Sequence, residues 1–395
     1  MILPSLTKLL VRALAILTGV AIASCGGGVD SGGTGGSTLA VGPIGGLGSI
    51  IVNGIRFDES AAAITNDDGE PLGRDRLKLG VFTVVEGTLT STAGAQRLAT
   101  AARVRVSSEL IGDVEAVDTG AKTFTVLEQT VKVTVATVFD DGLPQGLDSV
   151  QTGQSLEIYG QFDPAGRQYV ATRVELRPQP AYRLIRGTID SVDTARGIAR
   201  IGALTVDLSA LPPAEATNVV AGALLRLRLQ PGGSQGTWRA EAAAPGVRSL
   251  VDSDESSIEG RISSFESAST FAADGTPIDA SQASFPNGTA GLGTGVRVSI
   301  EGTARNGVLF AKEVRIEGDE DASNAIFELH GAIDAIDTTR KVLSLRGVTV
   351  DFSGPVTFAG GSEADLALGR QIEVKGVLGP NGVGLDAQQI TFESS

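Results

Sequence analysis

The heptapeptide Gly-Ala-Ile-Asp-Ala-Ile-Asp at residues 331–337 recurs along the chain in the form Gly-x-aliphatic-x-x-apolar-acidic. Earlier copies begin at Gly112, Gly187 and Gly260, so the interval between successive copies is nearly constant. Similarity at a nearly fixed period indicates repeats of one small structural unit. The phrase therefore predicts a tandem array rather than one large core.

Two further patterns accompany each copy and reveal an earlier one. Glycines seven positions apart occur at Gly80/Gly87, Gly153/Gly160, Gly295/Gly302 and Gly369/Gly376. Each copy closes with Ala-x-x-aliphatic, at Ala101/Val104, Ala171/Val174, Ala311/Val314 and Ala387/Ile390. The first copy is predicted to open with Gly-Ser-Ile-Ile-Val-Asn-Gly-Ile-Arg-Phe-Asp at residues 48–58. The chain thus contains five copies.

The third copy departs from the pattern. Pro231 stands where the second glycine is expected, and Ala240/Ala243 closes the copy. Because proline weakens strand pairing, its last strand should be the weakest of the five. In the other copies we expect the second glycine to end a strand just before a hairpin, where positive φ or close packing excludes a side chain.

Alternation with period two predicts the strands. Between Gly295 and Gly302, Val296, Val298 and Ile300 alternate with polar residues, as in a half-buried strand. Tight hairpin turns are predicted at Asn53-Gly54, Gly202-Ala203 and Arg346-Gly347. With 52 glycines and only 4% aromatic residues, the chain has the composition of short strands joined by tight turns.

The predicted fold is all-β, with five tandem small five-stranded OB-like β-barrels after a signal peptide and a flexible tether. Closure into a barrel removes exposed strand edges, which makes it our first choice over an open sandwich. The predicted boundaries are 1–24 for the signal peptide, 25–45 for the lipidated cysteine and tether, and 46–107, 108–178, 183–248, 257–318 and 326–395 for the repeats.

Residues 1–24 predict the signal peptide. Lys8 and Arg12 precede an apolar run that ends in small residues at Ala23 and Ser24. The run is too short to span a bilayer comfortably, and no later stretch approaches about 20 apolar residues. We therefore expect an exported chain whose mature part does not cross the membrane.

Cys25 is the predicted site of lipidation. Ile22-Ala23-Ser24-Cys25 resembles the bacterial lipobox, in which the cysteine is acylated and becomes the mature N-terminus. Ordinary cleavage that leaves a free thiol is the alternative. Several acyl chains together give stable membrane attachment. Because no Asp follows Cys25, the lipobox resemblance implies the outer membrane as the destination.

These motifs together resemble bacterial lipoproteins that carry tandem copies of domain of unknown function 5666. The likeness rests on residues 48–58, the paired glycines, the closing Ala-x-x-Val and the Cys-Gly-Gly-Gly sequence at Cys25. The resemblance implies lipid anchoring and an exported location. It implies no activity and no functional residue.

The charge balance argues against nucleic acid as a partner. The formal net charge is −14, so the surface repels phosphate backbones. The expected partners are the membrane, through the lipid anchor, and other envelope components.

The sequence contains no clear set of residues for a catalytic or metal site. His330 is the only histidine, so no histidine-based triad with a cysteine and no usual zinc set can be assembled, and we expect it to be a surface or strand residue. Acidic clusters at 66–70, 252–255 and 319–321 lack calcium-loop spacing and are interpreted as solvated linkers. We expect no cofactor, no metal and no enzyme activity.

The larger aromatic residues offer one candidate ligand site. Tyr159, Tyr169 and Trp238 fall on late strands of repeats 2 and 3, where they could share a shallow site, or else pack within the barrels. The sequence thus favours a non-enzymatic envelope scaffold or interaction module, with a small-ligand or glycan-binding lipoprotein as the alternative.

Overall fold

The computed structural model describes residues 35–91, 96–231, 237–318 and 325–393. They belong to one compact unit, Gly35–Ser395. The predicted signal peptide and Cys25 lie outside the described residues. Within the described part, strands predominate and no helix is both long and apolar enough to span a membrane.

Repeat 1 contains β1 (Ser37–Leu47), β2 (Ile50–Val52), β3 (Ile55–Asp58), β4 (Ala63–Asn66), β5 (Phe82–Ser91) and β6 (Arg97–Val106). Repeat 2 contains β7 (Leu110–Asp118), β8 (Thr123–Val126), β9 (Gln129–Lys132), β10 (Val138–Phe139), β11 (Ser155–Asp163) and β12 (Gln168–Leu176). Repeat 3 contains β13 (Arg183–Thr188), β14 (Ser191–Asp193), β15 (Ile198–Ile201), β16 (Leu204–Asp207), β17 (Leu224–Pro231) and β18 (Trp238–Pro245).

Repeat 4 contains β19 (Ser253–Ser267), β20 (Thr270–Ala273), β21 (Thr276–Asp279), β22 (Arg297–Arg305) and β23 (Val308–Glu317). Repeat 5 contains β24 (Phe327–Ala332), β25 (Ala335–Asp337), β26 (Val342–Leu345), β27 (Val348–Asp351), β28 (Thr357–Ala359), β29 (Gln371–Leu378) and β30 (Leu385–Phe392). Short helical turns lie at Arg74–Arg76, Gly146–Ser149, Pro213–Ala216 and Glu363–Asp365.

Each repeat is a small barrel, and repeat 4 shows the closure most simply. β19 pairs with β20, β20 with β21, β21 in parallel with β23, β23 with β22, and β22 returns to β19. Five strands in this closed order form an OB-like barrel. The predicted all-β fold of tandem OB-like barrels is therefore confirmed.

The predicted hairpin turns are also confirmed. Asn53 and Gly54 join β2 to β3 with φ of 50° and 72°, and Arg346 and Gly347 join β26 to β27 with φ of 55° and 75°. Gly202 has φ of 58° between β15 and β16. Left-handed φ at these positions gives the turn the twist of its two strands.

The sequence had suggested that the second glycine of each pair ends a strand. In the structure it does not. Gly160, Gly302 and Gly376 lie inside β11, β22 and β29, each at a bulge where the strand register shifts. A Cβ there would collide with a carbonyl oxygen of the neighbouring strand. Each glycine faces the alanine of the closing motif, so the two sequence patterns form one structural feature.

In repeat 3 the position of this glycine is held by Leu229, not by Pro231. Gly222 has φ of 86°, like the first glycines elsewhere, and Leu229 follows it at the same seven-position spacing. Leu229 lies at the register shift of β17 opposite Ala240. The prediction that Pro231 is equivalent to the second glycine was therefore wrong by two positions.

The predicted tether is wrong over residues 37–45, because β1 begins at Ser37. Leu39 and Ile44 are fully buried in the core. Ile44 exchanges backbone hydrogen bonds with Gly80 and Val81, as Ile262 does with Gly295 and Val296. Repeat 1 therefore opens with Gly42-Pro43-Ile44, upstream of the predicted start at Gly48.

The barrels pack on one another. β1 pairs in parallel with β19 and with β24, while β7 pairs with β13. Repeats 1 and 4 share one apolar core, repeats 2 and 3 share another, and repeat 5 supplies most of a third. Repeat 1 is thereby joined to repeats 4 and 5 through its first strand.

Candidate functional site

A cavity of about 1120 Å³ opens where repeats 1, 2, 4 and 5 meet; we call it the central cleft. Its lining includes Asn53, Arg56, Leu98, Gln161, Thr172, Glu259, Arg261, Arg297, Ile326, Glu328, Glu373 and Lys375. Sequence reasoning missed this site, because its walls come from four different repeats.

Strand alternation places the charged residues on the cleft wall. In β29, Ile372 and Val374 are fully buried in the barrel core, whereas Glu373 and Lys375 are half-buried and line the cleft. Successive strand residues point to opposite faces, so an apolar core position on one side implies a wall position on the other.

Two exposed apolar side chains belong to the lining of the cleft. Leu98 is 39% exposed and Ile326 is 58% exposed, and both line the cavity. Large apolar side chains gathered around a cavity are typical of a binding surface.

The charged wall residues form ion pairs with one another. Arg297 donates from Nε and Nη2 to Oε1 of Glu259, at 3.0 and 2.8 Å. Lys375 Nζ lies 2.8 Å from Glu373 Oε1 and 3.4 Å from Glu328 Oε2. Positive and negative groups are therefore interspersed along the wall rather than gathered into a patch of one sign.

His330 lies behind this wall, in β24, with only 4% of its surface exposed. Its Nε2 is 2.5 Å from Glu328 Oε1, and its Nδ1 is 2.8 Å from Glu393 Oε1. Two carboxylates facing the two ring nitrogens favour the imidazolium, in which both nitrogens donate. His330 is thus a strand residue, as expected, but it is not at the surface.

His330 and Glu328 shift each other's pKa. Burial acts to lower the pKa of His330, but the hydrogen bonds to Glu328 and Glu393 outweigh it and raise the pKa above its ordinary value. Burial acts to raise the pKa of Glu328, but His330 and Lys375 lower it to about 2. Both side chains are therefore charged in mildly acidic solution.

The polar atoms of Glu328, His330 and Glu373 lie within 4.8 Å of one another. Such spacing alone does not make a metal site, because both His330 nitrogens already face carboxylates. Lys375 also forms ion pairs with both glutamates. We assign no metal ion to this cluster.

The structure does not bring Tyr159, Tyr169 and Trp238 together. The two tyrosines are 0% and 1% exposed, so the shared shallow site is wrong and they pack inside the protein. Arg76 donates to the hydroxyl of Tyr159 at 2.6 Å, and the hydroxyl of Tyr169 donates to the Arg186 carbonyl at 2.6 Å. Trp238 is half-buried against the core of repeats 2 and 3.

The acidic segment 66–70 is not the solvated linker that the sequence suggested. Asp68 forms ion pairs with Arg226 and Arg228 of repeat 3, and Asp67 forms one with Arg186. The arginines lie two repeats further along the chain, which hides the pairing from sequence analysis.

The second acidic segment is also structured. Ser253 begins β19, and Asp254 lies 2.6 Å from Arg305 and accepts a hydrogen bond from Ser37 at 3.0 Å. The third segment, 319–321, lies outside the described residues.

A second buried charge cluster joins repeats 1 to 4. Arg248 bonds to Glu109 and donates to Ser107 at 3.0 Å, while Arg186 Nε lies 3.4 Å from Glu109. Asp274 lies 4.0 Å from Arg248, and its Oδ2 has no hydrogen-bond partner among the described residues. Burial raises the pKa of Asp274 to about 7, against the lowering effect of Arg248.

The fold and the cleft define an all-β protein of packed OB-like barrels with a cavity between them. Three segments, residues 111–175, 259–315 and 330–391, match the model of the family described as Domain of unknown function (DUF5666). The matched segments fall in repeats 2, 4 and 5, so three of the five barrels are similar to this domain.

The other comparisons add no functional information. No curated protein matches the chain. Among solved structures, the chain is similar to "drosophila Unr CSD456", with 13% identity, 53% of this chain and 97% of that chain covered, and a TM-score of 0.14. This score is too low for us to draw any conclusion from the likeness.

Proposed function

We propose that this chain is a non-enzymatic, lipid-anchored protein of the bacterial cell envelope, an interaction module that holds a small ligand in the central cleft. The observation that carries the proposal is the cavity of about 1120 Å³ between four repeats. Sites for small molecules have volumes of roughly 300–1,000 Å³ and combine apolar surface with a few placed polar groups. The cleft has a comparable size and the same mixture.

The chemistry of the walls favours an amphipathic ligand with little net charge. Leu98 and Ile326 offer exposed apolar surface in the cleft lining. Asn53 and Gln161 supply neutral polar groups, and the charged wall residues carry both signs. A strongly charged ligand would have to break existing ion pairs to bind.

The non-enzymatic part of the proposal rests on His330, the chain's only histidine. Both ring nitrogens are directed at carboxylates, so neither can take a proton from a serine or cysteine nucleophile.

The proposed anchor is Cys25, with the outer membrane as the proposed location. Twelve residue steps separate it from Ser37, where β1 begins. A chain extends at most about 3.5 Å per residue, so the start of β1 would stay within roughly 40 Å of the anchored cysteine. The cleft would then meet ligands or other envelope components close to the membrane surface.

The cleft can be tested with N-phenyl-1-naphthylamine, an uncharged apolar fluorescent probe, and the compact segment 35–395. We expect saturable binding that Ile326→Arg or Leu98→Arg reduces at least about tenfold, because each replaces apolar lining with a charge. Leu368→Arg is the matched control, since Leu368 is 72% exposed and does not line the cleft.

Equal binding by all four proteins would locate the probe elsewhere and contradict the proposal. Absence of saturable binding by the unmodified segment, for the probe and for a panel of neutral oligosaccharides, would also contradict it. The scaffold role would then be the better account.

A further inference from the structure

The protonation state of His330 affects the central cleft through two wall residues, Glu328 and Arg56. Glu328 presents Oε1 to His330 Nε2 and Oε2 to Lys375, so one carboxylate connects the ring to the wall. Arg56 also lines the cleft, and its Nη1 lies 3.1 Å from Nδ1 and 3.2 Å from Nε2 of His330. A change of charge on the ring therefore acts directly on Glu328 and Arg56.

The two carboxylates that face the ring are not equivalent. The Glu393 side chain is 37% exposed, whereas that of Glu328 is 16% exposed and is also paired with Lys375. Water can replace the histidine as a donor to Glu393 more easily than to Glu328. When His330 loses one proton, the proton should therefore leave Nδ1 for water, while Nε2 continues to donate to Glu328.

Loss of that proton removes a positive charge from the ring beside Arg56. Arg56 Nη1 is almost equidistant from the two ring nitrogens, at 3.1 and 3.2 Å, so it lies over the face of the ring. In the imidazolium form, the same cation faces a ring of like charge. Deprotonation removes that repulsion from Arg56, and the cleft region becomes one unit more negative.

We propose that His330 is a proton switch for the central cleft: its protonated form favours ligands that carry negative charge, and loss of one proton removes that preference. The inference rests on the proposed ligand binding in the cleft. The other charged groups around the ring are Glu373 and Lys375 of β29, Glu393 beyond β30, and Arg346, which donates to the His330 carbonyl at 3.1 Å.

The first test uses nuclear magnetic resonance of the ring, which gives a single histidine signal because the chain has one histidine. At about pH 6 we expect both ring nitrogens of segment 35–395 to be protonated. Glu393→Gln removes one acceptor charge and should shift the titration midpoint to lower pH. A neutral ring at pH 6, or a midpoint unchanged by Glu393→Gln, would overturn the proposal.

The second test compares two probes that differ by one sulfonate, N-phenyl-1-naphthylamine and 8-anilinonaphthalene-1-sulfonate. From about pH 5 to 9, the affinity of the anionic probe relative to the neutral one should fall on the order of fivefold, as expected for one nearby charge in a partly screened site. The midpoint of this fall should coincide with the histidine midpoint.

Variants distinguish the titration of His330 from that of Asp274, the other group expected to titrate in this pH range. His330→Gln should abolish the pH dependence of the affinity ratio, and Glu393→Gln should move it together with the histidine midpoint. Asp274→Asn should leave it in place, although Asp274 accepts from the backbone of Arg261, a cleft residue. Loss of the dependence in Asp274→Asn would overturn the assignment to His330.

The remaining outcomes distinguish the switch from the proposed function. If both probes bind in the cleft with an affinity ratio that does not change with pH, the switch is wrong and the ligand site stands. If neither probe binds at any pH, the proposed function is wrong, and the switch falls with it even when the histidine titrates as expected.

Discussion

Asp274 is a buried acid that the surrounding charges do not fully compensate. Within the part of the chain that the structure describes, its Oδ2 lacks a hydrogen-bond partner, and burial raises the pKa of Asp274 to about 7. A folded-state pKa above the ordinary value of 3.8 means that the protonated form stabilises the fold. This stabilisation is complete below about pH 3.8 and is lost as the pH rises through 7.

Asp274→Asn should therefore raise the free energy of unfolding at about pH 8 and change it little at about pH 4. Urea denaturation of segment 35–395 at the two pH values measures the difference. A variant that is less stable than the parent at pH 8 would mean that the ionised carboxylate is favourable where it lies.

Single residues also show which turns can be predicted from the sequence and which cannot. Asn53-Gly54 was predictable because both residue types tolerate positive φ. The equivalent turn of repeat 2 uses Leu127 and Glu128, with φ of 50° and 57°, although neither residue type favours that conformation. There the pairing of β8 with β9 imposes the turn, and composition gives no indication of it.

At the scale of the strand, the bulge glycines should be intolerant of any side chain. In Gly302→Val, the new Cβ meets the carbonyl of Phe310 on β23, and the bulge cannot form without movement of both strands. We expect a loss of about 1–3 kcal/mol in the free energy of unfolding, measured by urea denaturation.

Gly293→Val is the matched control for Gly302→Val, since it lies in the same repeat with open space around its Cβ position. The shared core predicts how the damage spreads: hydrogen exchange should increase in repeats 4 and 1 together. Damage confined to repeat 4 would show that the two barrels fold independently.

The first strand shows why the start of the fold was misjudged from the sequence. Residues 37–45 contain two glycines and a proline within a glycine-rich stretch, so composition predicted a tether. The phrase Gly42-Pro43-Ile44 precedes Gly112 by close to the repeat interval and could have revealed the strand. Its partners β5 and β19 determine the conformation, and β19 is distant in sequence.

At the scale of the whole molecule, buried charges hold the repeats together. Glu109 is 2% exposed and balances Arg248 and Arg186. Removing one partner of a buried ion pair leaves an uncompensated charge, so Glu109→Gln should cost about 3–5 kcal/mol in the free energy of unfolding.

Glu86→Gln is the control for Glu109→Gln, because Glu86 pairs with an Arg103 side chain that is 70% exposed, and its loss should cost less than about 1 kcal/mol. Calorimetry of segment 35–395 should show one cooperative transition that moves down in temperature in Glu109→Gln. An unchanged transition would mean that the charge cluster does not stabilise the assembly. The sequence could predict each barrel but not this cluster, whose members are far apart in the chain.

Membrane attachment is also a property of the whole chain. If acylation of Cys25 is the anchor, Cys25→Ser in a Gram-negative host should move the full-length protein from the membrane fraction to the soluble fraction. Immunoblotting of the separated fractions measures the shift. Continued sedimentation of the Cys25→Ser protein with outer membranes would mean that another part of the chain provides attachment.

The pairing of β1 with β19 has a consequence for how the protein folds. Thr38 pairs with Glu255, so one side of the first strand must wait until the start of the fourth repeat has been synthesised. Contacts this distant in sequence slow folding and leave strand edges open in the meantime. The first barrel can close through its own strands, but the apolar core that it shares with repeat 4 is completed only after residues 253–317 have been synthesised.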